Sequence, residues 1–196
     1  MYNFCFYFLL FLVFSIIGWI MECFNCSVIQ KKIVIDRGFM LGPYCPIYGI
    51  GTLFIFLFLS KCSNLLIFFL LSMIISCIFE YITSYFMEKL FNARWWDYSR
   101  EAFNINGRIC LKNAFLFGIM SVIFNYLLLP LYINLVCKLP SRLLIIISTS
   151  LLLIFLMDYM LSFYVINKVK NKIVKTKNDS TSDMYMAVRK VILHKK

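Results

Sequence analysis

Long apolar runs set the limits on what this chain can fold into. Five of them cover about residues 2–24, 45–60, 65–87, 114–136 and 143–166. A helix of about 20 apolar residues crosses about 30 Å of hydrocarbon at about 1.5 Å per residue. Inside hydrocarbon the backbone N–H and C=O groups must be satisfied within the segment, which a helix does and an isolated strand does not. The pattern therefore predicts an all-α integral membrane protein with about five transmembrane helices. Composition agrees: 62% of the 196 residues are hydrophobic, against about 45–50% in ordinary soluble domains. The second run is the shortest and opens on Pro43, Pro46, Gly49 and Gly51, which predicts a broken or tilted helix. The first run lacks the positive n-region and small-residue cleavage site of a signal peptide, so it is read as a retained span.

Twenty Lys and Arg against nine Asp and Glu give a formal net charge of +11. In a soluble protein such an excess would point to nucleic acid. Here its distribution tells more. Lys31, Lys32 and Arg37 lie in the first connection, five basic residues between Lys89 and Lys112 lie in the third, and nine lie between Lys168 and Lys196. Seventeen of twenty thus share one face, and the positive-inside rule places the N-terminus outside and the C-terminus in the cytoplasm. The excess reports topology and contact with an anionic inner leaflet, not nucleic-acid binding. The chain divides into a transmembrane domain over 1–167 and a basic tail over 168–196. Within the tail, Met184, Val188 and Ile192 at helical spacing predict a short amphipathic helix on the membrane surface, with docking to a cytoplasmic partner as the alternative.

No cofactor or metal motif is read. The eight cysteines are scattered along the spans, only Cys23 and Cys26 form a C-x-x-C, and the sole histidine is His194. Buried apolar thiols are the reading for such cysteines.

Polar residues inside the spans are the places to look for chemistry, because a carboxylate at membrane depth is costly unless paired or hydrated. Glu80, with Thr83 and Ser84 stacked at i+3 and i+4 and Glu88 two turns on, lies in the third span. Asp158 lies in the fifth and Glu22 near the inner end of the first. These carboxylates are expected to converge on the cytoplasmic leaflet. Two roles are open: Arg37 or Arg108 pairs with them and locks the bundle, or they line a polar cavity for an ion, a proton or a lipid headgroup.

Two connections on the same side are unusual. Residues 36–51 carry Gly38, Gly42, Pro43, Pro46, Tyr48, Gly49 and Gly51, a composition suited to a loop that re-enters the membrane beside protein. Residues 94–110 carry Arg94, Trp95, Trp96, Asp97, Tyr98 and Ser99, then Asn104, Asn106, Gly107, Arg108 and Cys110. An interfacial aromatic belt accounts for the Trp and Tyr. It leaves Asp97 and the Asn-x-Asn-Gly-Arg turn unexplained.

With these residues in view the chain resembles a bacterial family, the CmpB-like type IV ABC-transporter permeases. The resemblance is carried by Glu22, the Gly-Phe-Met-Leu-Gly-Pro and Cys-Pro-Ile-Tyr-Gly-x-Gly segments, Glu80-x-x-Thr83, Met87-Glu88, Trp96-Asp97-Tyr98-Ser99 and Asn106-Gly107-Arg108-Ile109-Cys110-Leu111, and covers about residues 15–118. Ala114 and Phe117 depart from the Ser and Trp of the family pattern. The resemblance implies a multi-pass permease of the bacterial cytoplasmic membrane.

The chain has no G-x-x-x-x-G-K-[ST] phosphate loop, so a permease of this kind needs a separate ATPase subunit, with residues 87–111 as its docking surface. Five short spans are few for a whole pathway, which predicts a homo-oligomer or a second membrane subunit. Two other classes stay open. A membrane enzyme acting on lipid would use Glu80 or Asp97 as base, Arg37 and Arg108 as phosphate holders and Cys110 as nucleophile, although no histidine stands by to activate the thiol. A non-catalytic scaffold or regulatory subunit would explain the tail alone.

Overall fold

The computed structural model describes residues 1–35, 37–91 and 94–173, the last five by backbone only. The expected amphipathic helix of the tail lies outside the described residues. Among those described, four helices are long and apolar enough to cross a membrane. They are α1 (Tyr2–Gln30), α3 (Leu65–Phe91), a continuous run Leu111–Cys137, and α6 (Ser141–Ile173). A fifth apolar helix, α2 (Pro46–Leu59), has 14 residues and measures about 21 Å, short of the hydrocarbon thickness. The helices extend several residues past the expected inner ends of the spans, to Gln30 and Phe91, because nothing in 25–30 or 88–91 breaks a helix.

The run Leu111–Cys137 is built from α4 (Leu111–Ile123), a π-helical turn (Phe124–Leu128) and α5 (Leu129–Cys137). Pro130 explains the irregularity: it has no N–H to donate, and its ring collides with the preceding turn, so the helix widens ahead of it. Between α3 and α4 a minimal hairpin pairs β1 (Asn104–Ile105) with β2 (Ile109–Cys110), Asn104 facing Cys110 and Ile105 facing Ile109.

α2 is not a full crossing, and its position is set by α1. The Cys45 N–H donates to the Ser15 carbonyl at 2.9 Å, so α2 begins beside the midpoint of α1. It then runs antiparallel to α1, bringing Phe56 against Phe6 and Tyr7. The close approach depends on glycine. A Cβ on Gly49 would lie 2.2 Å from Ser15 Oγ and 2.3 Å from the Phe11 carbonyl, and one on Gly18 would enter the Tyr48 ring. Pro46 opens α2 at a position where no N–H is needed. The expectation of a broken helix with a re-entering loop before it thus takes a specific form: residues 37–45 climb back along α1, and α2 continues as a half-length helix.

The core joins α1, α2, α3, the π turn, α5 and α6 around Leu10, Phe14, Phe68, Phe124, Tyr132 and Leu144. Phe14 and Phe124 meet edge to face at 4.5 Å, and the Tyr132 hydroxyl donates to the Phe6 carbonyl. Ser15, Ser72, Ser148 and Ser162 are all at most 1% exposed. In a bilayer, lipid tails are as apolar as leucine, so helices associate by close packing, and small residues at the seams permit it. The Ser15 and Ser148 hydroxyls satisfy themselves on the carbonyls one turn back.

Candidate functional site

The first half of the site grows out of the α1–α2 seam. Tyr48, in the first turn of α2, lies over Gly18 and donates its hydroxyl to Glu22 Oε1 at 2.6 Å. Arg37, at the start of the climbing loop, approaches Glu22 Oε2 at 3.8 Å. The Arg37 Nε is buried with no hydrogen-bond partner among the described residues. Glu22 is therefore held by one strong hydrogen bond and one loose ion pair, with a third of its side chain exposed.

The second half comes from α3. Glu80 is 4% exposed, and the Tyr98 hydroxyl donates to its Oε1 at 3.0 Å. Its other oxygen, Oε2, is buried without a partner among the described residues. The two halves lie close enough to interact: Glu22 acts electrostatically on Glu80 and on Tyr98, and Tyr98 on Tyr48. Two carboxylates, each receiving a tyrosine hydroxyl, thus act on one another near the start of α2. Tyr98 sits on the connection outside the helices, and burial, then the adjacent Glu80, pushes its phenol well above the usual range. It is a donor and not a phenolate.

A separate ionic network ties the 94–110 connection to the last turns of α3. Arg108 pairs with Glu88 Oε2 and donates to Ser84 Oγ at 3.1 Å. Arg94 Nε donates to Glu88 Oε1 at 3.1 Å and Arg94 Nη1 lies 3.7 Å from Asp97. Tyr81 and Tyr85 present their faces to the Arg108 guanidinium at 5.7 and 5.5 Å, a planar stacking that arginine suits. The turn that delivers Arg108 is closed locally. Asn104 Oδ1 accepts the Gly107 N–H, and Asn106, at φ +54°, reaches the Tyr81 hydroxyl. Gly107 itself has φ +67°, and a Cβ there would meet Ser99 Oγ and Asp97 Oδ1 at 2.4 and 2.5 Å. The Tyr98 N–H bonds the Gly107 carbonyl, and the Trp96 indole bonds the Arg108 carbonyl. Asp97 accepts both the hydroxyl and the N–H of Ser99. That hydroxyl above all, with the Ser99 N–H and Arg94 beyond it, holds its carboxyl below the ordinary aspartate range.

Of the carboxylates expected on the cytoplasmic leaflet, Glu22 and Glu80 act on one another, whereas Asp158 is engaged elsewhere. Asp158 instead accepts the Gly42 N–H at 3.1 Å, and Ser162, one turn on, accepts the Leu41 N–H at 2.9 Å. Together they fasten the climbing loop to α6, with Met40 completely buried beneath. Neither Arg37 nor Arg108 pairs with Glu80: Arg37 goes to Glu22 and Arg108 to Glu88. Glu88 belongs to the arginine network and not to the Glu80 face. Thr83 is half-buried and joins neither network, and Pro43 is exposed. Cys110 is 2% exposed and caps the start of α4, a structural position with no base beside it among the described residues. Cys23 and Cys26 form no disulfide, and no group of three metal-ligating side chains occurs among the described residues.

Sequence reasoning missed the residues that join the two connections. Trp95, 7% exposed, packs against Phe39 at 5.8 Å and Phe91 at 5.4 Å, with Ile166 of α6 behind. A tandem Trp-Trp does not reveal which ring is core and which is interfacial. Ser15, Gly18 and Tyr81 were invisible for a similar reason, since their roles depend on what packs opposite. A cavity of about 320 Å³ between α3 and the hairpin, lined by Met73, Cys77, Tyr81, Ile105 and Ile109 among others, is apolar and opens on the outer face of α3. It is distinct from the carboxylate pair.

The long apolar helices, the half-length α2 and the polar groups kept among them define a multi-pass, all-helical membrane protein. The chain belongs to the family described as Putative ABC-transporter type IV, whose model matches residues 9–163. The match extends past the 15–118 segment on which the motifs lie and takes in the fourth apolar run and most of the fifth. No curated protein and no solved structure matches the chain.

Proposed function

We propose that the protein is the permease component of a transport system in the bacterial cytoplasmic membrane, and that the paired carboxylates Glu22 and Glu80 are its substrate-facing polar site. The observation that carries this reading is the foot of α2: a half-length helix begins beside the middle of α1, and two carboxylate–tyrosine pairs lie within electrostatic reach of each other there. Helices interrupted at mid-depth are the way membrane transporters place polar groups along a pathway. The charge asymmetry supports an N-terminus outside and a cytoplasmic C-terminus, which puts the site on the cytoplasmic side and the basic tail on the anionic leaflet.

In this reading a separate ATPase docks on residues 87–111. That surface is braced by the Arg94–Glu88–Arg108 network and coupled to the site through Tyr98, whose hydroxyl reaches Glu80. A second copy or a second membrane subunit completes the pathway. The test is purification of the full chain from its native membrane in mild detergent, with ATP hydrolysis as readout. Glu80→Gln is expected to lower chain-dependent ATP turnover by about tenfold or more, the effect of losing about 1.4 kcal/mol or more of interaction, while expression stays normal. A preparation without ATPase activity under cross-linking conditions that preserve the complex overturns the reading.

A further inference from the structure

The Glu80 oxygen left without a partner among the described residues bears on what the site takes up. This inference rests on the transport reading above and concerns the same carboxylates. Glu80 is 96% buried by its exposure of 4%, with Tyr98 on Oε1 and nothing on Oε2 among the described residues. A carboxyl group in that position carries its charge only if a positive charge sits beside it, since an isolated carboxylate in a low-dielectric interior costs many kcal/mol. None of the described ion pairs supplies one.

The groups facing Glu80 do not help. α1 presents Glu22, which the Tyr48 hydroxyl of α2 holds, and the connection presents Tyr98, with Asn113 of α4 beside it. α3 itself adds Cys77, which interacts in turn with Cys110 of β2. α6 meets α3 near Phe91 through Phe163 and Ile166. Among the described residues the groups acting on Glu80 are acidic or neutral, while Arg37 is turned to Glu22 and Arg108 to Glu88 and Ser84.

We propose that Glu80 Oε2 is the binding point for one exchangeable monovalent positive charge, a proton or an alkali cation, that enters past Tyr98 and Glu22. One such charge neutralises Glu80 exactly where burial demands it; a divalent ion would need more carboxylate oxygen than the two glutamates leave free, because Glu22 already shares Arg37. Entry is controlled by Tyr98. It lies on a connection and not on a helix, so displacing one phenol hydroxyl uncovers the carboxyl group without separating the bundle.

The test is isotope-edited infrared spectroscopy of the full chain, labelled with 13C-glutamate and held in lipid nanodiscs. In one arm pH is varied in N-methylglucamine chloride. In the other, at fixed pH, sodium or potassium chloride replaces that salt. The chain has four glutamates, so the expected result is one component of the glutamate signal that Glu80→Gln alone removes. A carboxyl carbonyl band that appears and disappears with pH assigns the charge to the proton, and a carboxylate shift on adding sodium or potassium assigns it to the alkali ion. Tyr98→Phe should keep the signal but displace it, because one hydrogen bond to the carboxyl group is gone. If the signal is the same in wild type and Glu80→Gln in both arms, or if Tyr98→Phe leaves it unmoved, the proposal is wrong. Neither arm needs an ATPase or a transported solute, so a signal lost in Glu80→Gln without chain-dependent ATP turnover would remove the transport reading and leave the cation site standing.

Discussion

Single residues in the 94–110 connection carry more constraint than their exposure implies. Gly107 is fixed twice, by φ +67° and by the lack of room for a Cβ between Ser99 and Asp97. Gly107→Ala should lower stability by about 1–2 kcal/mol or more, the cost of placing an L side chain in the left-handed region, read as a lower thermal midpoint in detergent. Asp97 gives a pH signature. The Ser99 hydrogen bonds and Arg94 favour its carboxylate, so its pKa in the folded state lies below the unfolded value of about 3.9. The stabilisation it confers is complete above about pH 4 and fades as pH falls through the lowered folded value. Melting of wild type and Asp97→Asn should therefore differ by a constant amount from pH 7 to 5 and converge below pH 4; divergence on acidification would contradict the assignment. The sequence marked Asp97 and Gly107 as unusual, because an aromatic belt needs neither. It did not mark Ser99 as their shared contact, since that depends on a turn closing five to eight residues away.

Among the elements, the climbing loop 37–45 depends on a helix more than a hundred residues further along the chain. Asp158→Ala would leave the half-buried Gly42 N–H without its acceptor, at a cost of about 1 kcal/mol. Asp158→Asn, which keeps an oxygen acceptor, should restore most of it. Cys45 provides the readout: it is 5% exposed, so a membrane-permeant maleimide should label it faster in Asp158→Ala than in wild type or Asp158→Asn, by mass spectrometry of the surrounding peptide. Equal labelling in all three would mean that Asp158 does not hold the loop. Helix positions and the glycine-proline loop were legible because apolar runs and backbone-special residues act locally. The destination of Asp158 was not, since a carboxylate in a span serves a site or a backbone N–H equally well by its spacing. The π turn ahead of Pro130 was missed because proline signals a break without saying whether the helix bends, ends or widens.

At the scale of the molecule, the charge asymmetry makes a statement about sides that the native cysteines can check. Cys137 is exposed at the end of α5, and Cys26 lies towards the opposite end of α1. A membrane-impermeant maleimide added to intact cells should label Cys137 and spare Cys26, and inverted vesicles should not label Cys137; the reverse pattern would invert the proposed topology. The half-length α2 bears also on the order in which the chain is built. Fourteen residues are too few for the insertion machinery to recognise as an independent span, and the loop before α2 finds its last two acceptors, Asp158 and Ser162, on the final helix. The loop before α2 therefore settles last: until synthesis has passed residue 162, the Leu41 and Gly42 amides have no acceptors on α6, and a nascent chain stalled before that point would hold the first four apolar segments but not the finished seat of its own loop.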